Sequence, residues 1–260
     1  MSNHHIISQI LHFAAGGGVA VMSAGFAGHF GYRAADRLPG ESRLPQCVFC
    51  LRPLQWFESF PLFGWALRPN PKTLPCPCGK RTKLWRQPLI ELVGLFLGLL
   101  AVALGGWPNT ALPLCLGLGL LPAIAMIDID FGLIPDEVNL LLGFFGFIWR
   151  LMRHGDVFLS LVGTAGLVGL GLLLALGYSK LRKREMLGLG DVKFFAAAGF
   201  WLPVTIVPSF LVLSGLFGAI TGLIWKRKTG EKEFPFAPAL CLALAFCIYY
   251  GIVASPGLVP

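Results

Sequence analysis

Two groups of acidic residues stand where carboxylates are costly. One is Asp128-Ile129-Asp130-Phe131-Gly132-Leu133-Ile134-Pro135-Asp136-Glu137, between two apolar runs, and the other is Gly188-Leu189-Gly190-Asp191-Val192-Lys193, at the start of a third. A carboxylate in hydrocarbon costs about 2.5–3.5 kcal/mol on insertion scales, so acids at the edges of apolar runs are functional candidates first. Two aspartates at one depth can share a proton, because like charges about 3 Å apart cannot both ionise, and the pair then holds an acid beside a base. That apparatus activates water against a peptide bond. Glycines at 188 and 190 would let an extended substrate approach the backbone closely. Taken alone, Gly-Leu-Gly-Asp is a weak signal. Asp130, Asp136 and Glu137 also read as solvated loop and helix-start residues, the last two suited to the positive end of a helix after Pro135. It is Asp128 and Asp191 together that make a hydrolytic site.

A second chemistry-bearing set is Cys47-Val48-Phe49-Cys50 and, 26 residues after Cys50, Cys76-Pro77-Cys78-Gly79. Four thiolates in two close pairs suit tetrahedral zinc, with Zn–S distances of about 2.3 Å, and such a metal would give shape to a segment with too small a core. The bland alternative is two turns carrying free thiols. A reducing cytoplasm argues against structural disulfides. Cys115, Cys241 and Cys247 fall inside apolar runs, where a small packing residue is the better explanation.

The elements that must position these residues are membrane helices. Of 260 residues, 55% are hydrophobic and 13% charged, and the mean hydropathy of +0.72 excludes a water-soluble domain. Such apolar content also excludes disorder. Apolar runs at about 6–32, 88–106, 110–128, 134–151, 157–178, 192–206, 207–225 and 237–255 predict eight spans. The fold class is therefore an all-α membrane protein of about eight transmembrane helices with a small cysteine-containing cytoplasmic insert after the first. Its parts are a first helix at 1–32, a basic insert at 33–87 and a seven-helix core at 88–260. The first run lacks a basic n-region and a small-residue cleavage site, so it reads as a span and not as a cleaved signal peptide.

The formal net charge of +8 has a membrane explanation. Alternating spans put 33–87, 129–133, 179–191 and 226–236 on one side, and these loops with Lys193 hold 19 of the 21 Lys and Arg; only Arg150 and Arg153 oppose them. The positive-inside rule then places those loops in the cytoplasm and both termini outside. Nucleic-acid binding is not needed to explain the charge, and contact with anionic membrane lipids needs no special site. Both acidic clusters then lie at one membrane face.

With these residues assembled, the chain resembles the bacterial type IV prepilin peptidases, members of the Gly-x-Gly-Asp intramembrane aspartic proteases. The resemblance rests on Arg37-Leu38-Pro39-Gly40-Glu41, the Cys47/Cys50 pair, Arg86-Gln87-Pro88-Leu89-Ile90-Glu91-Leu92, the Asp128 to Asp136 segment and Gly188 to Lys193, and so covers nearly the whole length. It implies catalytic roles for Asp128 and Asp191, with Gly188, Gly190 and Lys193 as catalytic-loop support; Lys193 also reads as a snorkelling anchor. Asp130 is a family feature without a catalytic role, and Glu91 serves equally well as a helix cap. The resemblance further implies a bifunctional inner-membrane enzyme acting at the cytoplasmic side. It would remove the basic leader of prepilins or pseudopilins after a glycine, then methylate the new N-terminus with S-adenosylmethionine. The cysteine insert belongs to the part linked with methylation. Two departures are visible: Cys76-Pro-Cys78 stands where the family has a second Cys-x-x-Cys, and Gly28-His29-Phe30-Gly31 replaces Gly-Ser-Phe-Leu-Asn. Two rival readings remain. One is a peptidase without methyltransferase activity. The other is a proton- or cation-coupled transporter, in which intramembrane aspartates carry the ions.

Overall fold

The computed structural model describes residues 22, 23, 25, 27, 86–105, 110–153, 156–177, 188–230 and 234–254. Most of the 6–32 span, the insert up to residue 85 and all four of its cysteines lie outside the described residues, as do the two termini. Among the described residues the secondary structure is helical throughout. The helices are α1 (Arg86–Gly105), α2 (Ala111–Phe131), α3 (Asp136–Met152), α4 (Val157–Leu172), α5 (Leu189–Gly199), α6 (Val207–Thr229) and α7 (Ala237–Ala254). A π-helical turn, Leu173–Gly177, extends α4, and a 3-10 turn, Val204–Ile206, leads into α6.

α2 is the centre of the bundle. It is apolar on every face, and a helix of that kind must be surrounded; Cys115, Leu118, Ala123, Ile124 and Ile127 are fully buried, and α1, α3 and α7 pack around it. The outer helices show the reverse pattern. Leu140, Phe158 and Val212 are each 70% or more exposed, which suits side chains whose solvent is lipid. The regions Ala111–Phe131, Val157–Leu176 and Val204–Thr229 are long and apolar enough to cross a bilayer, and Pro88–Leu104 and Ala237–Val253 are shorter apolar helices. The protein is an integral membrane protein. In such a medium polar groups must be satisfied internally, and the hydroxyls of Thr164, Ser214 and Thr221 donate to carbonyls one turn back, at 2.8, 2.6 and 2.8 Å.

The sixth expected span, 192–206, is corrected by the structure. A single crossing was expected; α5 has 11 residues and is about 16 Å long, roughly half of a hydrocarbon core. The apolar run is broken at Trp201-Leu202-Pro203, because Pro203 has no N–H to continue the helix and restricts the residue before it. Irregular backbone at this depth is tolerated when protein covers it. Trp201 and Leu202 are both buried, and the Trp201 indole Nε1 donates to the Leu142 carbonyl at 3.0 Å. Glycines make room for that indole: a Cβ on Gly117 of α2 or on Gly146 of α3 would overlap it. Gly143 lets α3 approach α5 so closely that a Cβ there would lie 3.4 Å from the Ala197 Cα. The short helix is thereby wedged between its neighbours with its N-terminus at the end of the bundle where α2 finishes.

Candidate active site

Asp128 occupies the last turn of α2. That helix stops at Gly132, whose left-handed backbone (φ 65°, ψ 28°) brings its N–H to the Asp128 carbonyl at 2.8 Å, a conformation that glycine adopts without a Cβ penalty. The chain then turns through Ile134 and extended Pro135 into α3, whose first turn holds Asp136 and Glu137 at the positive helix end, as their sequence predicts. The Asp128 carboxylate is buried, with 8% of the residue exposed. Its Oδ2 accepts the backbone N–H of Ala237, the first residue of α7, at 2.8 Å.

Asp191 sits in the first turn of α5, after Gly188, whose backbone is extended (φ −67°, ψ 148°). Two features hold this loop against the α2–α3 connection: a Cβ placed on Gly190 would lie 3.7 Å from the Ile134 Cβ, and the Lys193 ammonium donates to Asp136 at 2.7 and 2.9 Å. Asp191 is thereby held, against like-charge repulsion, where it feels the charge of Asp128. Cys241 of α7, itself buried, is close enough to feel both carboxylates. The two acidic clusters therefore share one end of the bundle and one neighbourhood. Gly188 and Gly190 do not owe their identity to a left-handed conformation: among the described residues only Gly132 and Gly230 have positive φ. Around Gly188 the nearest groups to an added Cβ are the Asp191 Oδ2 at 3.5 Å and the Gly190 N at 3.9 Å. Leaving that position bare keeps the approach to the carboxylate open.

Asp191 lies ahead of the apolar run that begins at Val192, on a helix too short to cross. Burial pushes its carboxyl up to about 6, the neighbouring charge of Asp128 adds to the rise, and a backbone hydrogen bond from Gly188 opposes it. A carboxyl titrating there is partly protonated near neutrality, as an acid partner to a second carboxylate must be.

The remaining candidates fall into place as follows. Lys193 pairs with Asp136, both side chains more than half exposed. Asp130 forms a buried ion pair with Arg86, tying the start of α1 to the end of α2. Glu91 is buried on α1. Cys115, Cys241 and Cys247 are free and buried, in keeping with packing roles. Among the described residues no group of three or more His, Cys, Asp or Glu could hold a metal; Cys47, Cys50, Cys76 and Cys78 are not among them. The Ala237 donor was missed from the sequence, since a backbone N–H has no residue type. Its only signal was the Pro235-Phe236-Ala237-Pro238 run at a helix start.

Residues 115–223 match the family model described as the type IV leader peptidase family. A prepilin leader peptidase/N-methyltransferase of Aeromonas hydrophila is 31% identical over 227 residues, covering 83% of this chain and 75% of the relative. One of Burkholderia pseudomallei (strain 1026b) is 32% identical, covering 84% and 72%, and one of Dickeya chrysanthemi is 34% identical, covering 80% and 74%. The chain belongs to the type IV leader peptidase family. Within this leader peptidase family member the matched region runs from α2 into α6 and contains both aspartates, while the Ala237 donor lies beyond it. The relatives lend the transporter alternative no support. No solved structure matches the chain.

Proposed function

We propose that this protein cuts the basic leader from type IV prepilins or type II secretion pseudopilins after a glycine, at the cytoplasmic face of the bacterial inner membrane, and then N-methylates the exposed residue with S-adenosylmethionine. The cleavage reading is carried by one observation: Asp128 and Asp191, from separate helices, share one end of the bundle within reach of each other's charge. Lys193, Arg86 and the Lys226-Arg227-Lys228 end of α6 support a cytoplasmic site, because α6 ends a few residues before the Ala237 donor. The methylation reading rests on the relatives.

In the mechanism, one aspartate deprotonates a water and the other protonates the carbonyl oxygen of the scissile bond. The resulting gem-diol collapses as a proton passes to the departing amine, and the C–N bond breaks. Ala237 N–H fixes one Asp128 oxygen and leaves the other for water. A helical substrate must unwind to present its carbonyl, and the bare backbone at Gly188 admits an extended strand. Asp128→Asn and Asp191→Asn should each abolish cleavage of a synthetic prepilin peptide while the proteins insert and accumulate normally; near-normal processing by either removes the assignment.

The eight-segment topology is retained with the sixth segment as a half crossing. The cysteine set supplies four soft thiolates, a donor chemistry suited to structural zinc, and elemental analysis should find about one zinc per chain. No stoichiometric metal in the purified protein removes that site. The altered Cys76-Pro-Cys78 spacing favours a second reading, cleavage without methylation. Mass spectrometry of the mature pilin N-terminus separates the two.

A further inference from the structure

Asn139 is a polar side chain that the aspartate mechanism leaves unused. It is 5% exposed, and its Oδ1 has no hydrogen-bond partner among the described residues. The Thr164, Ser214 and Thr221 hydroxyls are matched, and an unmatched buried acceptor calls for a physical reason. The orphan is the side chain alone, because the Asn139 N–H donates to the Pro135 carbonyl at 3.2 Å.

Its place in the fold is well bracketed. Residues 136, 139, 143 and 146 follow the spacing of one helix face. Along that face Asp136 pairs with Lys193 of α5, Gly143 packs on Ala197 of α5 and Gly146 packs on Trp201 just beyond it. Asn139 therefore stands in the α3–α5 seam, one turn from the Asp136–Lys193 pair. α3 also packs against α2, so it touches both of the helices that carry Asp128 and Asp191.

A carboxamide offers one acceptor and two donors side by side, the complement of the N–H and C=O of an extended peptide. A helical peptide has those groups occupied, so such a side chain would favour an unwound segment. We propose that Asn139 is a substrate-positioning residue that binds the main chain of the substrate beside the scissile bond, Oδ1 accepting an N–H and the amide NH2 donating to a carbonyl. This rests on the reading of the protein as an aspartyl peptidase.

The test uses the full-length enzyme, a synthetic prepilin peptide, and the variants Asn139→Leu and Asn139→Ala. Both variants should unfold at or above the parent temperature, since they remove an unmatched amide. KM should rise about tenfold with kcat held within about threefold, the pattern of lost uniform binding. On the parent enzyme, a peptide with an ester replacing one amide beside the scissile bond should lose a similar factor, and on Asn139→Leu it should lose little more. An unchanged KM, a fall in thermal stability that parallels the fall in activity, or an ester penalty undiminished in the variant overturns the proposal. If neither variant accumulates in folded form, the ester peptides decide alone: cleavage by the parent at the rate of the all-amide peptide at every position tried overturns it. An Asp191→Asn control keeps the two questions apart. A parent that does not cleave, or a control that does, defeats the peptidase reading, whereas normal aspartate dependence with indifference to Asn139 defeats this inference alone.

Discussion

The raised carboxyl of Asp191 makes a quantitative demand on the pH dependence of cleavage. In the proposed mechanism the aspartate pair carries one proton. With Asp191 titrating at about 6 in place of 3.8, the protonated fraction at pH 7 is roughly 9%, against roughly 0.06% for an ordinary aspartate, a ratio of about 150. The sign follows from burial: the charged form is disfavoured, so the proton persists to higher pH. The kcat/KM of the free enzyme should therefore be highest below pH about 6, short of the acid range in which the second aspartate also takes a proton, then fall, approaching tenfold per pH unit above pH about 7. The assay is initial-rate cleavage of a prepilin peptide at substrate well below KM, between pH 5 and 8.5, in one detergent at fixed ionic strength. A profile flat across that range, or one that climbs from pH 6 to 8, refutes the reasoning, since climbing would mean that Asp191 must be ionised to act. A second check separates the two causes of the shift. In Asp128→Asn the neighbouring charge is gone, so the Asp191 carboxyl, followed by infrared or carbon-13 NMR, should titrate lower than in the parent and still above 3.8 through burial alone.

Other expectations follow from the packing. Gly117→Ala gains at most about 1 kcal/mol of helix propensity but drives a Cβ into the Trp201 indole, and overpacking costs about 1–3 kcal/mol, so its thermal midpoint in detergent should fall; Trp201→Phe in that background should recover part of the loss, and a raised midpoint for Gly117→Ala contradicts the wedge. The Lys193–Asp136 pair is more than half exposed on both sides and is worth under about 1 kcal/mol, so Lys193→Met should leave stability nearly unchanged and peptide cleavage within about threefold, whereas a loss beyond about tenfold would show that the ammonium acts on the aspartates.

How much of this was legible in the sequence depends on what each feature is made of. Helices α1 to α4, α6 and α7 announce themselves as long apolar runs, and the Gly132 stop of α2 and the acidic start of α3 carry ordinary capping residues. The two aspartates stand out because carboxylates are rare at the edges of such runs. Hydropathy misjudged the sixth segment because it averages over Val192–Ile206 and does not register that Trp201-Leu202-Pro203 ends the helix after 11 residues. Pairings across helices were harder to see. The Arg86–Asp130 and Lys193–Asp136 contacts depend on the register between α1 and α2 and between α3 and α5, which no local pattern encodes. Lys193 accordingly reads as a snorkelling anchor until its partner is seen. Asn139 passes for one polar position near a helix start, and only its burial and its unmatched oxygen set it apart.

The half-length of α5 bears on how the proposed aspartate pair is held in place. A helix this short cannot be held along the membrane normal by lipid at both of its ends. α5 is instead seated at its C-terminal end by protein: Trp201 is pinned to the Leu142 carbonyl and nested against Gly117 and Gly146, while Gly199 meets the Thr164 backbone so closely that an added Cβ would lie 2.6 Å from the Thr164 Cα. With the rigid rise of a helix, that seat fixes the depth of Asp191 eight residues away. α2 does the same for Asp128 from the centre of the bundle, where it is packed on several sides. Each carboxylate is thus carried on an element whose position is decided by packed protein, and the connecting turns at Gly132 and Gly188 adapt to it. Preorganisation of this kind keeps two like charges together, because the separation is imposed by helix packing and the repulsion is relieved by retaining one proton.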